Sequence, residues 1–156
     1  MAGSAAARVR EAEEEPLILA DFLPYRLSVA AERVSRAFAV RYEAEFGLTI
    51  PEWRVMAVLG ERSPRSTQEV IETTEMDRVK VSRAAIRLAD KGLISRAPVP
   101  GDARAQQLRL TRQGLATYRR IVPLARRLQS ELVTALAPGE IAALERILAK
   151  LRGAAR

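Results

Sequence analysis

The 156-residue chain contains no cysteine and no histidine, and these two absences exclude several classes of chemistry. Without cysteine, there is no disulfide, no thiolate metal site and no thiol nucleophile. Without histidine, there is neither an imidazole ligand nor an imidazole base. The sequence also offers no glycine-rich phosphate loop, no nucleophile-and-base pair and no acidic metal cluster. We therefore expect a protein that is not an enzyme, with no catalytic residue, no cofactor and no metal site.

Long apolar runs are also absent. No segment of about 18 apolar residues is available to span a bilayer, and the opening stretch MAGSAAARVREAEEEP lacks the apolar core of a secretory signal. This pattern predicts a cytoplasmic protein without membrane contact. The opening stretch is small, charged and free of aromatic side chains, which predicts a disordered tail over residues 1–20.

Basic residues outnumber acidic ones, and the excess lies in one window. The net charge is +7, and residues 78–112 carry nine basic and two acidic side chains, so the rest of the chain is electrically balanced. A basic excess confined to one window is typical of a nucleic-acid-binding face. The alternative is a solvated helix surface in a protein from an arginine-rich proteome.

Capping signals divide the first part of the chain into four helices. A long amphipathic helix follows the tail and ends at Gly47. The next three helices begin at N-cap candidates: Thr49 with Glu52, Ser66 with Glu69, and Asp77. We expect the third helix to end near Thr74 and the fourth to stop at Gly92. Two helices joined by a brief turn at 74–76 are the outline of a helix-turn-helix.

A hairpin follows the fourth helix directly. Leu93 and Ile94 lead into its first strand, and polar and apolar residues alternate in the second, after the turn in VPGDARAQQLRL (residues 99–110). Pro98 and Pro100 limit pairing near the tip, as on an exposed edge. The sequence therefore predicts a mainly α fold, a winged helix-turn-helix with N- and C-terminal dimerisation helices.

Two further helices complete the chain. Thr111 caps a long segment with a continuous apolar stripe, which Pro123 should bend, and Pro138 with Gly139 separates it from a last amphipathic helix. These stripes are too long for one small domain to cover, so we expect a homodimer. The predicted organisation is a tail at 1–20, an N-terminal dimerisation helix at 21–48, a DNA-binding lobe at 49–112 and C-terminal dimerisation helices at 113–152.

The fourth helix carries the candidate DNA-reading residues. With its apolar residues turned inward, a repeat of about 100° per residue directs four polar residues outward: Lys80, Ser82, Arg83 and Arg87. Arginine binds guanine through two hydrogen bonds, whereas lysine and serine make single contacts. Arg78, in the first turn, suits a phosphate or the preceding helix. The alternative is that Arg83 and Arg87 pair with Asp90 or nearby glutamates and contact no DNA.

Two hydroxyls and the hairpin tip complete the predicted DNA surface. Ser66 and Thr67 could present hydroxyls and free amides to a phosphate, although helix capping explains them equally well. Arg104 would reach the adjacent minor groove, where narrow A·T tracts attract arginine. Phosphate would repel Asp102, so we expect this carboxylate to shape the tip through hydrogen bonds.

These motifs together resemble the MarR (multiple antibiotic resistance regulator) family. EMDRVKVSRAAIRLADKGLISRAPVPGDARAQQLRLTRQGLATY is similar to the family's recognition helix, Leu-Ile strand, Asp-x-Arg wing and Leu-Thr-x-x-Gly entry to the next helix, and IPEWRVMAVL is similar to its second helix. Ile86 departs from the pattern, since a polar residue is common there. The lack of cysteine excludes the family's peroxide-sensing branch.

This resemblance, which extends over residues 23–151, implies a triangular dimer on a pseudo-palindromic operator. Such proteins are usually repressors that a small ligand releases from DNA. By the resemblance, the reading residues are Lys80, Ser82, Arg83 and Arg87, and the wing pair is Asp102 with Arg104.

The resemblance also implies an effector. Family ligands are often aromatic carboxylates or phenolics, and some members respond to their coenzyme A thioesters. The usual pocket lies between the dimerisation helices and the DNA-binding lobe, where five residues could contribute: Tyr25, Arg26, Arg36, Trp53 and Met56. An arginine would pair with a carboxylate, and an aromatic ring would stack on the ligand. The alternative is that Trp53 and Met56 are plain core residues.

Three functions therefore compete. The first is a ligand-responsive, homodimeric transcriptional repressor with double-stranded DNA and a small aromatic effector as partners. The second is a ligand-independent DNA-binding or architectural factor. The third is a winged helix used only for protein contact, against which the basic window argues.

Overall fold

The computed structural model describes residues 16–155, except the side chains of Ala103 and Arg104. Residues 1–15, which hold most of the predicted tail, lie outside the described residues. The elements of the described chain are α1 (Leu23–Phe46), α2 (Ile50–Glu61), β1 (Arg65–Ser66), α3 (Thr67–Thr74), α4 (Arg78–Asp90), β2 (Ile94–Val99), β3 (Asp102–Leu110), α5 (Arg112–Val133) and α6 (Pro138–Ala154). Helices dominate, so the predicted mainly α class is confirmed.

The chain divides into two units, and the boundary follows Ala37 inside α1. In the first unit, one turn of 3₁₀ helix at Leu19–Asp21 precedes the N-terminal part of α1. This unit leaves many large apolar side chains exposed: Leu17, Ile18, Leu19, Phe22, Leu23, Tyr25, Leu27 and Val34. No helix in the described part of the chain has an apolar stretch sufficient to cross a membrane.

The predicted capping residues start the helices of the second unit. Ser66 Oγ accepts the Glu69 N–H at 3.2 Å, and the Glu69 carboxylate accepts the Ser66 N–H at 2.7 Å. Asp77 caps α4 through its carboxylate. At the start of α2, Glu52 accepts the Thr49 N–H at 2.7 Å. Each of these bonds satisfies a backbone group that a helix leaves unpaired at its first turn.

A tight turn joins α3 to α4. α3 ends at Thr74, as predicted, and Glu75 takes a left-handed backbone conformation with φ 54°. At the other end of α4, Gly92 has φ 71°, a conformation that favours glycine. The two helices and their turn form the predicted helix-turn-helix.

Three antiparallel strands form a sheet in the order β1–β3–β2. β2 and β3 are the predicted hairpin, in which Ile94 pairs with Leu110 and the register shifts after Pro98. β1 was not predicted; its two residues pair with Leu108 and Gln107 of β3. The hairpin beside the helix-turn-helix confirms the winged helix-turn-helix fold.

The core of the second unit receives side chains from the C-terminal part of α1, from α2 to α5 and from the sheet. α4 contributes one face only, through residues that are at most 3% exposed: Val81, Ala84, Ala85 and Leu88. α6 contributes no buried residue among those described. Because its inner face packs against the core, α4 leaves its outer face to solvent.

Thr111 joins the end of α4, the hairpin and the start of α5. Its hydroxyl donates to the Gly92 carbonyl at 2.7 Å and accepts the Gly114 N–H at 3.0 Å. Its own N–H donates to the Leu93 carbonyl at 3.1 Å. A Cβ added at Gly114 would lie 1.8 Å from that carbonyl oxygen. The Thr-x-x-Gly motif therefore combines a helix cap with a close approach that only glycine allows.

An ion pair between the buried Glu52 and the exposed Lys91 joins the start of α2 to the end of α4. The Lys91 ammonium lies 3.0 Å from each carboxylate oxygen of Glu52 and 2.7 Å from the Gly47 carbonyl oxygen. The Glu52 side chain is only 1% exposed. Burial raises the pKa of Glu52, but the Thr49 N–H and the Lys91 ammonium outweigh burial and bring the pKa below its ordinary value of 4.5. Glu52 is therefore ionised at neutral pH.

We expect this ion pair to make stability depend on acidic pH. Because the Glu52 pKa is lower in the folded state than its ordinary value of 4.5, the pair contributes fully above that value and less as the pH falls through the folded-state pKa. Glu52→Gln should lower the thermal midpoint at about pH 7, and its difference from the wild type should shrink as the pH falls below 4.5 through the folded-state pKa. Circular dichroism melts across this range test the prediction, with the exposed Glu61→Gln as control. Parallel pH profiles for wild type and E52Q would contradict it.

Gly114→Ala should destabilise the protein, because the new methyl group overlaps the Leu93 carbonyl and backbone must move on both sides. We expect a loss of about 2 kcal/mol in the free energy of unfolding, typical of overpacking. Denaturant titration measures it. Gly139→Ala is the matched control, since nothing lies within 4 Å of its added Cβ. Equal stability of the two variants would show that the Gly114 contact is not restrictive.

Candidate nucleic-acid interface

The outer face of α4 presents the predicted reading residues. Lys80, Arg83 and Arg87 are exposed, and Ser82 is partly buried. Within the part of the chain that is described, Arg83 and Arg87 form no ion pair and no side-chain hydrogen bond. Pairing with Asp90 or a glutamate, the alternative for these arginines, is therefore not the observed arrangement. Two guanidinium groups are available to an external anion.

Lys80 and Arg78 have partners of their own. The Lys80 ammonium lies 3.1 Å from the Asp77 carboxylate, whose pKa is lowered chiefly by the hydrogen bond from the Lys80 N–H. Arg78 donates to the Gln68 side-chain oxygen at 3.0 Å. Gln68 belongs to α3, so Arg78 reaches the preceding helix, one of its two predicted roles. Both cations are exposed, and DNA contact by either remains a prediction.

The hydroxyls of Ser66 and Thr67 both have intramolecular partners. Ser66 caps α3, and the hydrogen bond from its N–H to Glu69 keeps the Glu69 pKa below its ordinary value. Thr67 Oγ1 donates to the Gln106 carbonyl of β3 at 3.3 Å. These contacts tie α3 to the sheet, and phosphate binding by either residue remains a prediction.

A cleft of about 430 Å³ lies between the helix-turn-helix and the hairpin. The residues lining it include Ser66, Thr67, Gln68, Arg78, Ser82, Arg96, Asp102 and Gln106. Asp102 is exposed at the start of β3. The Arg104 side chain lies outside the described residues, so its place at the wing tip remains a prediction.

Two members of the basic window have positions that the sequence did not indicate. Arg96 lines the cleft, because it pairs with Leu108 and so shares the sheet face from which Leu108 enters the core. The position of Arg96 follows from the pairing register of β2 and β3, which the sequence alone does not give. The Lys91 ammonium forms an ion pair with the buried Glu52 carboxylate, so its charge is not part of the outer face of α4.

The predicted effector residues fall in both units. Tyr25, Arg26 and Arg36 are exposed in the first unit, and Arg36 forms an ion pair with Glu32. In the second unit, Met56 is completely buried, in agreement with the core role that the sequence left open.

Trp53 is partly buried in an aromatic cluster. Its ring lies 5.3 Å from that of Tyr42 and stacks on that of Tyr118 at 6.2 Å. A ligand contact by Trp53, or by any of the other four candidates, remains a prediction.

Comparison with known proteins gives a consistent result. A family model described as the MarR family matches residues 46–105, which include the helix-turn-helix and most of the hairpin. The HTH-type transcriptional repressor IacR of Pseudomonas putida is 29% identical over 101 residues, 65% of this chain. The match spans 60% of that repressor's own length.

Solved structures share the fold. BpsR of Bordetella bronchiseptica, whose DNA binding is regulated by 6-hydroxynicotinic acid, superimposes with a TM-score of 0.79 at 24% identity, over 88% of this chain and 98% of its own. A MarR variant from E. coli complexed with operator DNA gives a TM-score of 0.75 at 25% identity, over 83% and 92% of the two chains.

Ser66→Ala should reduce stability by about 1 kcal/mol, because the Glu69 N–H loses its cap. Ser66→Asp keeps a capping oxygen and should retain most of the stability. Thermal melts of the two variants without DNA test this. If S66A melts at the wild-type temperature, the hydrogen bond from the Glu69 N–H to the Ser66 hydroxyl does not stabilise the fold.

Proposed function

We propose that the chain, which a MarR family model matches over residues 46–105, is a MarR-family, sequence-specific DNA-binding transcriptional regulator. It acts as a homodimeric repressor on a pseudo-palindromic operator, and a small aromatic ligand releases it. The ligand is an aromatic carboxylate, a phenolic compound or its coenzyme A thioester.

The outer face of α4 is the observation that carries the proposal. Arg83 and Arg87 have no protein partner among the described residues, and the helix is fixed to the core by its opposite face. A rigid helix with unpaired guanidinium groups suits the major groove, where arginine binds guanine O6 and N7 together. Lys80 and Ser82 would add single contacts to bases or phosphates.

The hairpin and the start of α3 extend this face. Arg104 would enter the neighbouring minor groove, and Asp102 would set the shape of the tip. Ser66, Thr67 and Arg78 line the cleft behind it and would approach phosphates. In this arrangement the backbone contacts fix the register and α4 reads the bases.

Exposed apolar residues support the homodimer. α6 leaves Leu144, Ile147 and Leu148 exposed, each at more than 40%, and the first unit exposes the apolar set described above. Surfaces of this kind are typical of protein–protein contacts. A second copy of the chain would bury them and place two α4 helices on half-sites about one helical turn apart.

The proposed effector shifts the dimer between two states. In one state the two α4 helices match the half-sites, and in the other they do not. A ligand that binds the second state more tightly lowers the affinity for DNA, at most by the difference between its binding free energies for the two states. An arginine among Arg26 and Arg36 would pair with the carboxylate, and Tyr25 or Trp53 would stack on the ring. The fifth candidate, Met56, is completely buried and would contribute through the packing of the core.

A titration tests the proposed function. Fluorescence anisotropy follows binding of the full chain to its own upstream DNA at two salt concentrations, with and without a panel of aromatic acids and their coenzyme A thioesters. Tight, salt-sensitive binding that one compound abolishes supports the repressor. Binding that no compound disturbs favours a ligand-independent or architectural factor, and absence of binding contradicts a DNA-binding role.

Arg83→Ala should weaken operator binding by about 1 to 3 kcal/mol and relax the preference at one or two base positions, since one bidentate contact is lost. Arg104→Ala should also weaken binding while leaving the dimer and the thermal midpoint nearly intact, because its main predicted contact is with DNA. Anisotropy titrations on operator and base-substituted duplexes measure both. An equal loss on every sequence for R83A would make Arg83 a phosphate contact, and unchanged affinity for R104A would refute the wing assignment.

A further inference from the structure

The outward direction of α4 can be fixed from its buried face. Successive residues of an α-helix are turned by about 100°, and the four buried residues of α4 define the inward direction. Val79, Arg83 and Ile86 then lie within about 40° of the opposite, outward direction, and so does the exposed Asp90 in the last turn. Arg87 and Lys80 flank them on one side. The centre of the outer face therefore contains one arginine between two aliphatic residues.

Both aliphatic residues are exposed. Val79 is 57% exposed and Ile86 is 42% exposed, whereas the inward residues of the same helix are at most 3% exposed. Removing exposed apolar side chains of this size from water is favourable, so a partner that covers them binds more tightly. Two of them at the centre of a fixed helix face indicate contact with an apolar group.

The charges around Val79 and Ile86 identify the partner's class. Arg83 lies between them without a protein partner among the described residues, and Arg87 lies beside them, also unpaired. Asp90 is the one acidic residue of α4, against four basic residues, so the setting is cationic and favours a polyanion. The thymine C5-methyl group is the apolar group that the major groove of a polyanionic duplex presents. An arginine bound to guanine would bring its aliphatic neighbours on the helix against adjacent bases.

We propose that Val79 and Ile86 determine sequence specificity by contacting thymine methyl groups on either side of the base pair that Arg83 reads. The proposal rests on the proposed function. The two side chains are seven positions apart in the helix, so they are about 10 Å apart along its axis. At 3.4 Å per base step, the two thymines are roughly three steps apart.

The test removes single methyl groups from DNA. The duplex is one that the full-length protein selects from a random-sequence library, and each thymine is replaced in turn by deoxyuridine, which lacks only the C5-methyl. The readout is the ratio of dissociation constants for the deoxyuridine and thymine duplexes, measured by fluorescence anisotropy. We expect a ratio of about four at two positions for the wild type, the scale of one buried methyl group.

The variants assign each methyl group to a side chain. Val79→Ala should bring the ratio to about one at one position, and Ile86→Ala should do so at the other, because the contact in each case is already lost. Val40→Ala is the control, since Val40 is 62% exposed on α1 and should leave both ratios at the wild-type value. A ratio is insensitive to a general loss of affinity or dimerisation.

Four results would overturn the proposal. Ratios near one at every thymine in the wild type, or equal ratios in wild type, V79A and I86A, would overturn it while leaving operator binding intact. A change in the oligomer mass of V79A by sedimentation would assign Val79 to a protein interface instead. Failure of the wild type to select any sequence would remove the proposed function as well.

Discussion

The Lys91 ammonium connects three segments that are distant in sequence: the loop after α1, the start of α2 and the end of α4. An unpaired carboxylate as deeply buried as Glu52 would cost several kcal/mol, so these segments must stay together for its charge to be compensated. The Thr49 N–H supplies a further hydrogen bond to the same carboxylate. This one ion pair therefore fixes the C-terminal end of the helix on which the proposed DNA recognition depends, while Asp77 and the turn at Glu75 fix the other end.

With both ends and one face of α4 fixed, Arg83 and Arg87 on its outer face form no ion pair or side-chain hydrogen bond with the described residues. Stability and recognition are thus separated on a single helix. The inward residues Ala84 and Ala85 are small and fully enclosed, so changes there would be felt as strain. Changes at Arg83 or Val79 would alter contacts with a partner while the protein remains folded. Such a division allows sequence preference to change without loss of the scaffold.

Contacts between residues that are close in sequence could be predicted, whereas contacts between distant residues could not. The caps of α3 and α4 were found from the sequence because each joins residues three positions apart. The Glu52–Lys91 pair joins residues 39 positions apart, so no local sequence pattern predicts it. β1 has only two residues, so it shows no alternation, and the position of Arg96 depends on the hairpin register. The inward face of α4 was predicted correctly, but the emphasis on polar residues left Val79 out of its outer face. In each missed case the deciding fact was a tertiary contact or the exposure of a side chain in the folded chain.

The aromatic cluster has a consequence for how the protein can be observed. Trp53 is the only tryptophan in the chain, and its indole lies between the rings of Tyr42 and Tyr118, from α1 and α5. At these separations, light absorbed by either phenol is transferred efficiently to the indole. The ultraviolet emission of the whole protein is therefore dominated by one residue in the packing of α2 against its neighbours. The wavelength and intensity of that emission give an intrinsic optical signal of any rearrangement there, without an attached dye.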